Sequence, residues 1–329
     1  MKLFLGVDGG QSTTKVVLGD AEMRIVAQST GGPSNHTEEP GGPERLERVV
    51  RETVASALAA IKAPHIGECE FAAACFGMTG EVVIKRRILE SFIRTPHLSV
   101  VHDSVNALIG ATAGAPGINV IAGTGSVASG VNAEGRESRV GGWGYTFGDE
   151  GSAYFIGKAA VSAVSAEEDG MGPKTALTAI LLGRLGVDSA SALRAHYYAG
   201  TWPREHLAGL AGWVNEAAEG GDAVALRILQ HAGKDLAGFA GILLDRLFPA
   251  APSAQAGANR PLVCCSGGVF QSRAVMSAFQ ETIRNKRPEA ETRPALLPPV
   301  LGSLLMAYRA AGVQVSEKTY LDWVNKLQE

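Results

Sequence analysis

The strongest constraint on the fold is a partial internal repeat. The stretch Gly6-Val7-Asp8-Gly9-Gly10-Gln11-Ser12-Thr13-Thr14-Lys15 is echoed 114 positions later by Val120-Ile121-Ala122-Gly123-Thr124-Gly125-Ser126-Val127-Ala128, with Gly9 falling on Gly123 and Ser12 on Ser126. Each stretch leaves an apolar run, passes a Gly/Ser/Thr turn and enters a second extended run. The second runs end at matching turns, Gly19-Asp20 and Ala133-Glu134-Gly135. A repeated strand–turn–strand unit predicts two halves built on one plan, with two small-residue turns able to grip a phosphate chain from both sides.

A chain of 329 residues is long enough for two α/β domains and a large core. Hydrophobic residues make up 46% and charged residues 19%, an ordinary globular balance. With a net charge of −3 nothing suggests a non-specific nucleic-acid binder, so no nucleic-acid partner is expected. The 41 glycines exceed the usual share of about 7% and cluster at turns, which marks loop chemistry rather than low complexity. The apolar run before Asp8 is shorter than a signal-peptide core, and no run of about 18 apolar residues could span a membrane. Cys69, Cys75, Cys264 and Cys265 fit neither a zinc site nor a disulfide framework, so reduced thiols and a cytoplasmic location are expected.

Residues 3–8, 14–19 and 24–29 read as an antiparallel meander. A Gly/Pro loop from Gly31 to Pro43 precedes an amphipathic helix from Glu44 to about Ala60. Strands follow at Phe71–Phe76 and Leu98–Val101, separated by a helix over Val82–Ile93, and a small-residue helix over Ser104–Ala113 closes the half. The second half restarts at Ile118 with the same meander. It is helical and alanine-rich from Ser152 to about Leu247, loops at Ala250–Asn259, and has a strand at Leu262–Cys265. Helices are expected from near Ser272, over Leu301–Ala311 and over Tyr320–Leu327. Strands that begin antiparallel and then alternate with helices imply mixed sheets covered on both faces.

Glycines let backbone N–H groups in the Asp8–Lys15 loop approach a phosphate, with Ser12 and Thr13 as hydroxyl donors. Asp8, at a strand end, can hold Mg²⁺ directly or through water. Asp-Gly is equally a hairpin signal, and the Gly-Lys-Ser/Thr ending of a Walker loop is missing. The pairing with Gly123-Thr124-Gly125-Ser126 is what favours the phosphate reading. Asp103, between a strand and a helix, can accept a proton from a substrate hydroxyl or cap the helix, and the two roles are compatible. Aromatics among the glycines and carboxylates of Gly141–Ser152 suit a sugar, with apolar ring faces and hydroxylated edges. Asp149 and Glu150 also suit the first turn of the following helix. Ser266-Gly267-Gly268 would present bare backbone to a nucleotide or simply form a tight turn.

These segments, in this order, resemble the N-acetylglucosamine kinase family, within the BadF/BadG/BcrA/BcrD-type group of the sugar kinase, Hsp70 and actin superfamily. The resemblance runs from Leu3 to about Ala311. Gly-Gly-Trp-Gly followed by Gly-Asp-Glu-Gly-Ser carries it most specifically, with Asn35-His36 in support. It implies two ribonuclease-H-like domains, 1–114 for sugar and 115–329 for nucleotide, with a helix near 301–311 free to pack back on the first and the ligands in the interdomain cleft. It implies ATP and Mg²⁺ as cofactors. Asp8, Gly9, Gly10, Ser12, Thr13, Lys15, Gly123, Thr124, Gly125 and Ser126 would serve the phosphates, Asp8 the metal, and Gly267 and Gly268 the adenosine. Asn35, His36, Asp103, Gly142, Trp143 and Asp149 would line the sugar pocket, Asp103 being the base that activates a sugar hydroxyl, O6 by expectation.

The resulting expectation is an ATP-dependent hexosamine kinase, N-acetylglucosamine first among its substrates. Val140 stands where vertebrate members carry cysteine, and the loop after Asn35-His36 is Pro/Gly-rich. Both lie where a C2 substituent would be read, which keeps glucosamine, N-acetylmuramic acid and glucose as alternatives. Two rival classes are an ATPase activator of an acyl-CoA dehydratase or reductase, and a non-catalytic sugar sensor. The first needs iron–sulfur ligands that the cysteine pattern does not supply. The second, as a repressor, needs a DNA-binding segment, and none is read before Leu3. Related kinases are often dimers, so a homodimer is among the expected states.

Overall fold

The computed structural model describes residues 2–10, 12–35, 37–200, 202–249 and 260–328. Two compact units make up the chain, Met1–Ala115 with Ala295–Glu329, and Pro116–Pro294. The loop expected at Ala250–Asn259 lies outside the described residues.

The first unit is a five-stranded sheet. Strands β1 (Leu3–Gly9), β2 (Thr14–Gly19) and β3 (Ile25–Gly31) form the antiparallel meander. Helix α1 (Gly42–Ala60), started by Pro43 in its first turn where a missing N–H does no harm, leads to β4 (Phe71–Met78). Helix α2 (Val82–Glu90) joins β4 to β5 (Leu98–His102), and α3 (Asp103–Thr112) follows. The order is β3-β2-β1-β4-β5, with β1, β4 and β5 mutually parallel.

The period-two alternation of β1 fills both faces of this sheet. Leu3, Leu5 and Val7 join a core with Leu46, Val50 and Val54 of α1 and Leu89 of α2. Phe4 points the other way, into a core with α11 (Pro299–Ala310) and α12 (Glu317–Gln328). There Phe4 stacks on Tyr308, and Tyr308 on Trp323. Tyr308 donates to the Asp20 carbonyl at 2.7 Å, and Trp323 Nε1 to the Met23 carbonyl at 2.6 Å. The tail from Ala295 onward therefore belongs with the first unit, the helix near 301–311 among it. Its apolar side chains are what cover the sheet's second face.

The second unit repeats the plan. Strands β6 (Gly117–Ala122), β7 (Ser126–Val131) and β8 (Glu137–Gly141) form a meander. Strand β9 (Leu262–Ser266) pairs parallel with β6, and β10 (Glu291–Pro294) parallel with β9. The order β10-β9-β6-β7-β8 is the first sheet's order with each strand replaced by its counterpart.

Helices α4 (Ala153–Glu168), α5 (Ala176–Leu185), α6 (Ala190–Tyr198), α7 (Arg204–Gly209), α8 (Ala211–Glu219) and α9 (Ala223–Leu247) lie between β8 and β9. Helix α10 (Arg273–Lys286) follows β9 after a short 3₁₀ turn at Gly268–Gln271. One apolar cluster joins Ile118, Val120 and Val263 of the sheet to Leu236 and Leu243 of α9 and Phe279 of α10. Strands β8 and β10 are short, polar and at the two sheet edges, which is why no hydrophobic run announces them.

Candidate active site

In the first unit, the parallel strands deliver three polar side chains at their C-terminal ends, where open α/β sheets bind ligands. Asp8 lies in β1, Thr79 just past β4, and Asp103 at the start of α3 just past β5. Thr79 Oγ1 donates to Asp103 Oδ2 at 2.5 Å, and its N–H donates to the Gly9 carbonyl at 3.1 Å. His102 Nδ1 is 2.8 Å from Asp103 Oδ1 and 3.3 Å from the Ser104 nitrogen; carrying a proton it donates to Asp103, and only without one does it accept from the Ser104 N–H and cap α3. Asp103 is in the first turn of the helix, one place after the N-cap position. Burial pushes the Asp103 carboxyl up. The His102 and Thr79 hydrogen bonds, the His102 charge and the Ser104 N–H outweigh it and hold the carboxyl below its ordinary value.

Lys85 is wholly buried, and its ammonium donates to the Thr79 carbonyl. Burial pulls its pKa down against the pull of Glu38, Asp103 and Glu81. It fixes the Thr79 turn that holds Asp103.

Asp8 is the opposite case. Burial raises its carboxyl, the Asn106 hydrogen bond lowers it, Asp103 raises it and Lys15 lowers it, and the raising effects prevail. Asn106 Nδ2 lies 3.1 Å from Asp8 Oδ1, 3.1 Å from Ser303 Oγ and 3.2 Å from the Pro299 carbonyl. Asn106 Oδ1 is buried without a partner among the described residues. Asp8 is a single carboxylate of the kind that Mg²⁺ shares with phosphate oxygens and water, and among the described residues no group of three His, Cys, Asp or Glu side chains forms a metal site of its own.

The β1–β2 turn closes with Gly10 N–H donating to the Thr13 carbonyl at 2.9 Å and leaves Ser12 and Thr13 exposed, as is Lys15 on β2. Thr14 Oγ1, fully buried, donates to the Gly32 carbonyl at 2.8 Å and sits 2.9 Å from Ser34 Oγ. Asn35 follows, buried, its carbonyl accepting from Arg45 Nη2 at 2.9 Å. The turn, Asn35, Asp8 and Asp103 therefore share one unit. His36 lies outside the described residues.

In the second unit, the Gly123–Ser126 turn and the Gly141–Ser152 block form one assembly. The Ala153 N–H donates to the Gly123 carbonyl at 2.8 Å, and the Gly142 N–H to the Ser126 carbonyl at 3.0 Å. Ser126 Oγ donates to the Glu150 carbonyl at 2.7 Å. The hydroxyl expected to serve a phosphate is therefore buried and already committed.

Asp149 differs from expectation in the same way. It adopts a left-handed backbone, φ 68°, and its carboxylate is 3% exposed. One oxygen accepts from the Ser126 N–H at 3.1 Å, and the other from Arg204 Nη2 at 2.8 Å. Trp143 and Phe147 of the same block are 77% and 82% exposed. Val140 pairs with Ala128 in the sheet and packs on the apolar core.

A cavity of about 670 Å³ opens beside this assembly, lined by Gly123, Thr124, Gly212, Asn215, Gly268 and Ser272 among others. Its volume suits a nucleoside-sized ligand. Gly267, φ 97°, permits the turn after β9 to press on β6, because a Cβ there would overlap the Ala122 carbonyl. Ser272 Oγ is buried without a partner among the described residues. The sequence reading missed Thr79, Lys85, Asn106, Arg204 and Ser272, all of types that are usually surface or capping residues and carry no motif.

Residues 5–307 match the BadF/BadG/BcrA/BcrD ATPase family, and the chain belongs to that family. An N-acetylmuramic acid/N-acetylglucosamine kinase of Clostridium acetobutylicum is 35% identical over 241 residues, 72% of this chain and 77% of that protein. An N-acetyl-D-glucosamine kinase of Dictyostelium discoideum is 27% identical over 318 residues, 93% of this chain and 98% of that protein. Among solved structures, a candidate N-acetylglucosamine kinase of Chromobacterium violaceum superposes with a TM-score of 0.71 at 26% identity, covering 93% of this chain and 99% of that one. A ROK family glucokinase of Streptomyces griseus shares the fold at a TM-score of 0.58 and 18% identity, covering 94% and 99%.

Proposed function

We propose that this chain is an ATP-dependent amino-sugar kinase that transfers the γ-phosphate to a hydroxyl of N-acetylglucosamine, O6 by expectation. The observation that carries the reading is Asp103, fixed at the C-terminal end of β5 by Thr79 and His102, in a chain 35% identical to an N-acetylmuramic acid/N-acetylglucosamine kinase. That relative also favours N-acetylmuramic acid as a second substrate.

Asp103 is ionised at neutral pH and orients the sugar hydroxyl, taking its proton as the phosphate arrives. A carboxylate held low is a weak base, which suits a loose transfer in which positioning and charge neutralisation dominate. Ser12, Thr13, Lys15 and the backbone of Gly9 and Gly10 serve the phosphates from the first unit, Gly123, Thr124 and Gly125 from the second. The cavity at Gly268 and Ser272 takes the adenosine. Asn35, His36, Gly142 and Trp143 contact the sugar. Asp8 would hold Mg²⁺, which would supply charge neutralisation for the transferred phosphate.

A coupled ADP-release assay over N-acetylglucosamine, N-acetylmuramic acid, glucosamine and glucose tests the reading. Sugar-stimulated turnover is expected, with the N-acetylated sugars ahead. A panel without any sugar-stimulated turnover would overturn it.

A further inference from the structure

Arg204, the first residue of α7, carries a guanidinium that the mechanism above does not use. It lies against the middle of the Gly123–Ser126 turn, and a Cβ on Gly125 would run into both Arg204 Nη2 and the Asp149 carboxylate. Nη2 donates to Asp149 Oδ2 at 2.8 Å, and the guanidinium sits 5.6 Å from the Tyr145 ring centre. Its Nε is buried without a partner among the described residues. The next residue, Glu205, lines the same cavity as Gly123 and Thr124.

Three features separate this arginine from an ordinary surface ion pair. Its side chain is only 22% exposed and its partner carboxylate 3%. That partner is simultaneously bound to the turn through the Ser126 N–H, so the guanidinium is held in register with the turn. And Nε, one of the fork's five donors, is buried without an acceptor among the described residues, a state that buried polar groups avoid unless a ligand completes it. With a carboxylate already on Nη2, a phosphate oxygen is the other acceptor whose geometry such a fork matches.

We infer that Arg204 is a phosphate-contacting residue: with Asp149 as its anchor, it donates to the terminal phosphates of a nucleoside triphosphate at the Gly123–Gly125 turn. This rests on the kinase reading and adds a cation to a phosphate site otherwise built from backbone and hydroxyl groups in this unit.

The test is calorimetric titration of AMP and of a non-hydrolysable ATP analogue into the parent, R204K, R204Q and the D149N/R204Q double variant, with melting temperatures measured alongside. R204Q is expected to weaken the ATP analogue by about tenfold to a hundredfold, the worth of charge-assisted hydrogen bonds, while AMP changes by less than about twofold. R204K is expected to fall between the parent and R204Q. The double variant is expected to stay weak. A merely structural Arg204 would instead move AMP and the analogue together, or be rescued in the double variant once both charges are gone, and either result overturns the inference. Should R204Q not fold, the R204K ratio of analogue to AMP affinity decides in the same way. A parent that binds the analogue while R204Q is unchanged sinks only Arg204. A parent that does not bind the analogue sinks the kinase reading as well.

Discussion

The two units share a strand order, yet their equivalent turns hold charge in opposite ways. Aligned by their last paired residues, Gly9↔Thr14 in the first hairpin corresponds to Ala122↔Ser126 in the second. Asp8 then corresponds to Ile121. The first turn thus carries its own carboxylate in the strand, hydrogen-bonded to the Asn106 amide. The second has an apolar residue there and borrows a carboxylate, Asp149, already neutralised by Arg204. In both, the first residue of the returning strand buries a hydroxyl that ties the turn to a distant backbone, Thr14 to Gly32 and Ser126 to Glu150. A duplicated scaffold keeps the turn rigid by one device while its two copies carry charge differently: a strand carboxylate hydrogen-bonded to an amide in the first, a carboxylate–arginine pair beside the turn in the second.

The sharpest way to break this division is at the carboxylates of the first unit. D103N is expected to lower sugar-dependent turnover by about 10²–10⁴-fold, the usual worth of a positioned base, measured by coupled ADP release. Parent-like turnover would remove Asp103 from the chemistry. D8N is expected to raise the Mg²⁺ concentration for half-maximal turnover and to weaken Mn²⁺ binding by about 10–100-fold in a spin-resonance titration. Unchanged Mn²⁺ binding would move the cation elsewhere.

The same two residues should differ in their effect on stability. The Asp103 carboxyl is held low in the fold, so its contribution is present above the ordinary carboxylate range near pH 3.9 and lost as pH falls through its lower folded value. The Asp8 carboxyl is raised, so its contribution is present below that range and lost as pH rises through its higher folded value. At pH 7, D8N is therefore expected to raise the melting temperature of the ligand-free protein by about 2 °C, and D103N to lower it. Shifts of the same sign would refute the contrast. In the second unit, G267A is expected to cost about 1–3 kcal/mol in chemical denaturation, because the new Cβ meets the Ala122 carbonyl and φ is positive. The smallest effects fall on the matched hydroxyls: T14V and S126A are each expected to lose about 1 kcal/mol. A large disparity between them would show that the two turns are not equivalent.

The repeat made the doubled architecture legible, because a small-residue turn between two apolar runs has few other uses. It misled at single-residue resolution. Superposing Ser12 on Ser126 equates an exposed turn residue with a buried first strand residue, since the first hairpin loop is one residue longer. The strand ends carrying Asp8 and Asp103 were readable from the apolar runs before them. Asn106 was not, because an asparagine on a helix gives no sign that three acceptors converge on it. Arg204 was hidden by distance, 55 residues from Asp149 with three helices between. Periodicity marked the tail as helical without saying which sheet it covers, and it was the family resemblance that left the helix near 301–311 free to pack back on the first unit.

That tail has a consequence for how the molecule is made. The core around Phe4 and Val17 is completed by Leu301, Leu304, Tyr308 and Trp323, so these strands wait for helices made hundreds of residues later. The second unit, continuous from Pro116 to Pro294, has all its core residues in hand earlier. The Phe4 face of the first sheet therefore stays uncovered until the segment from Ala295 onward has been made, whereas the second unit can bury its core without waiting for it.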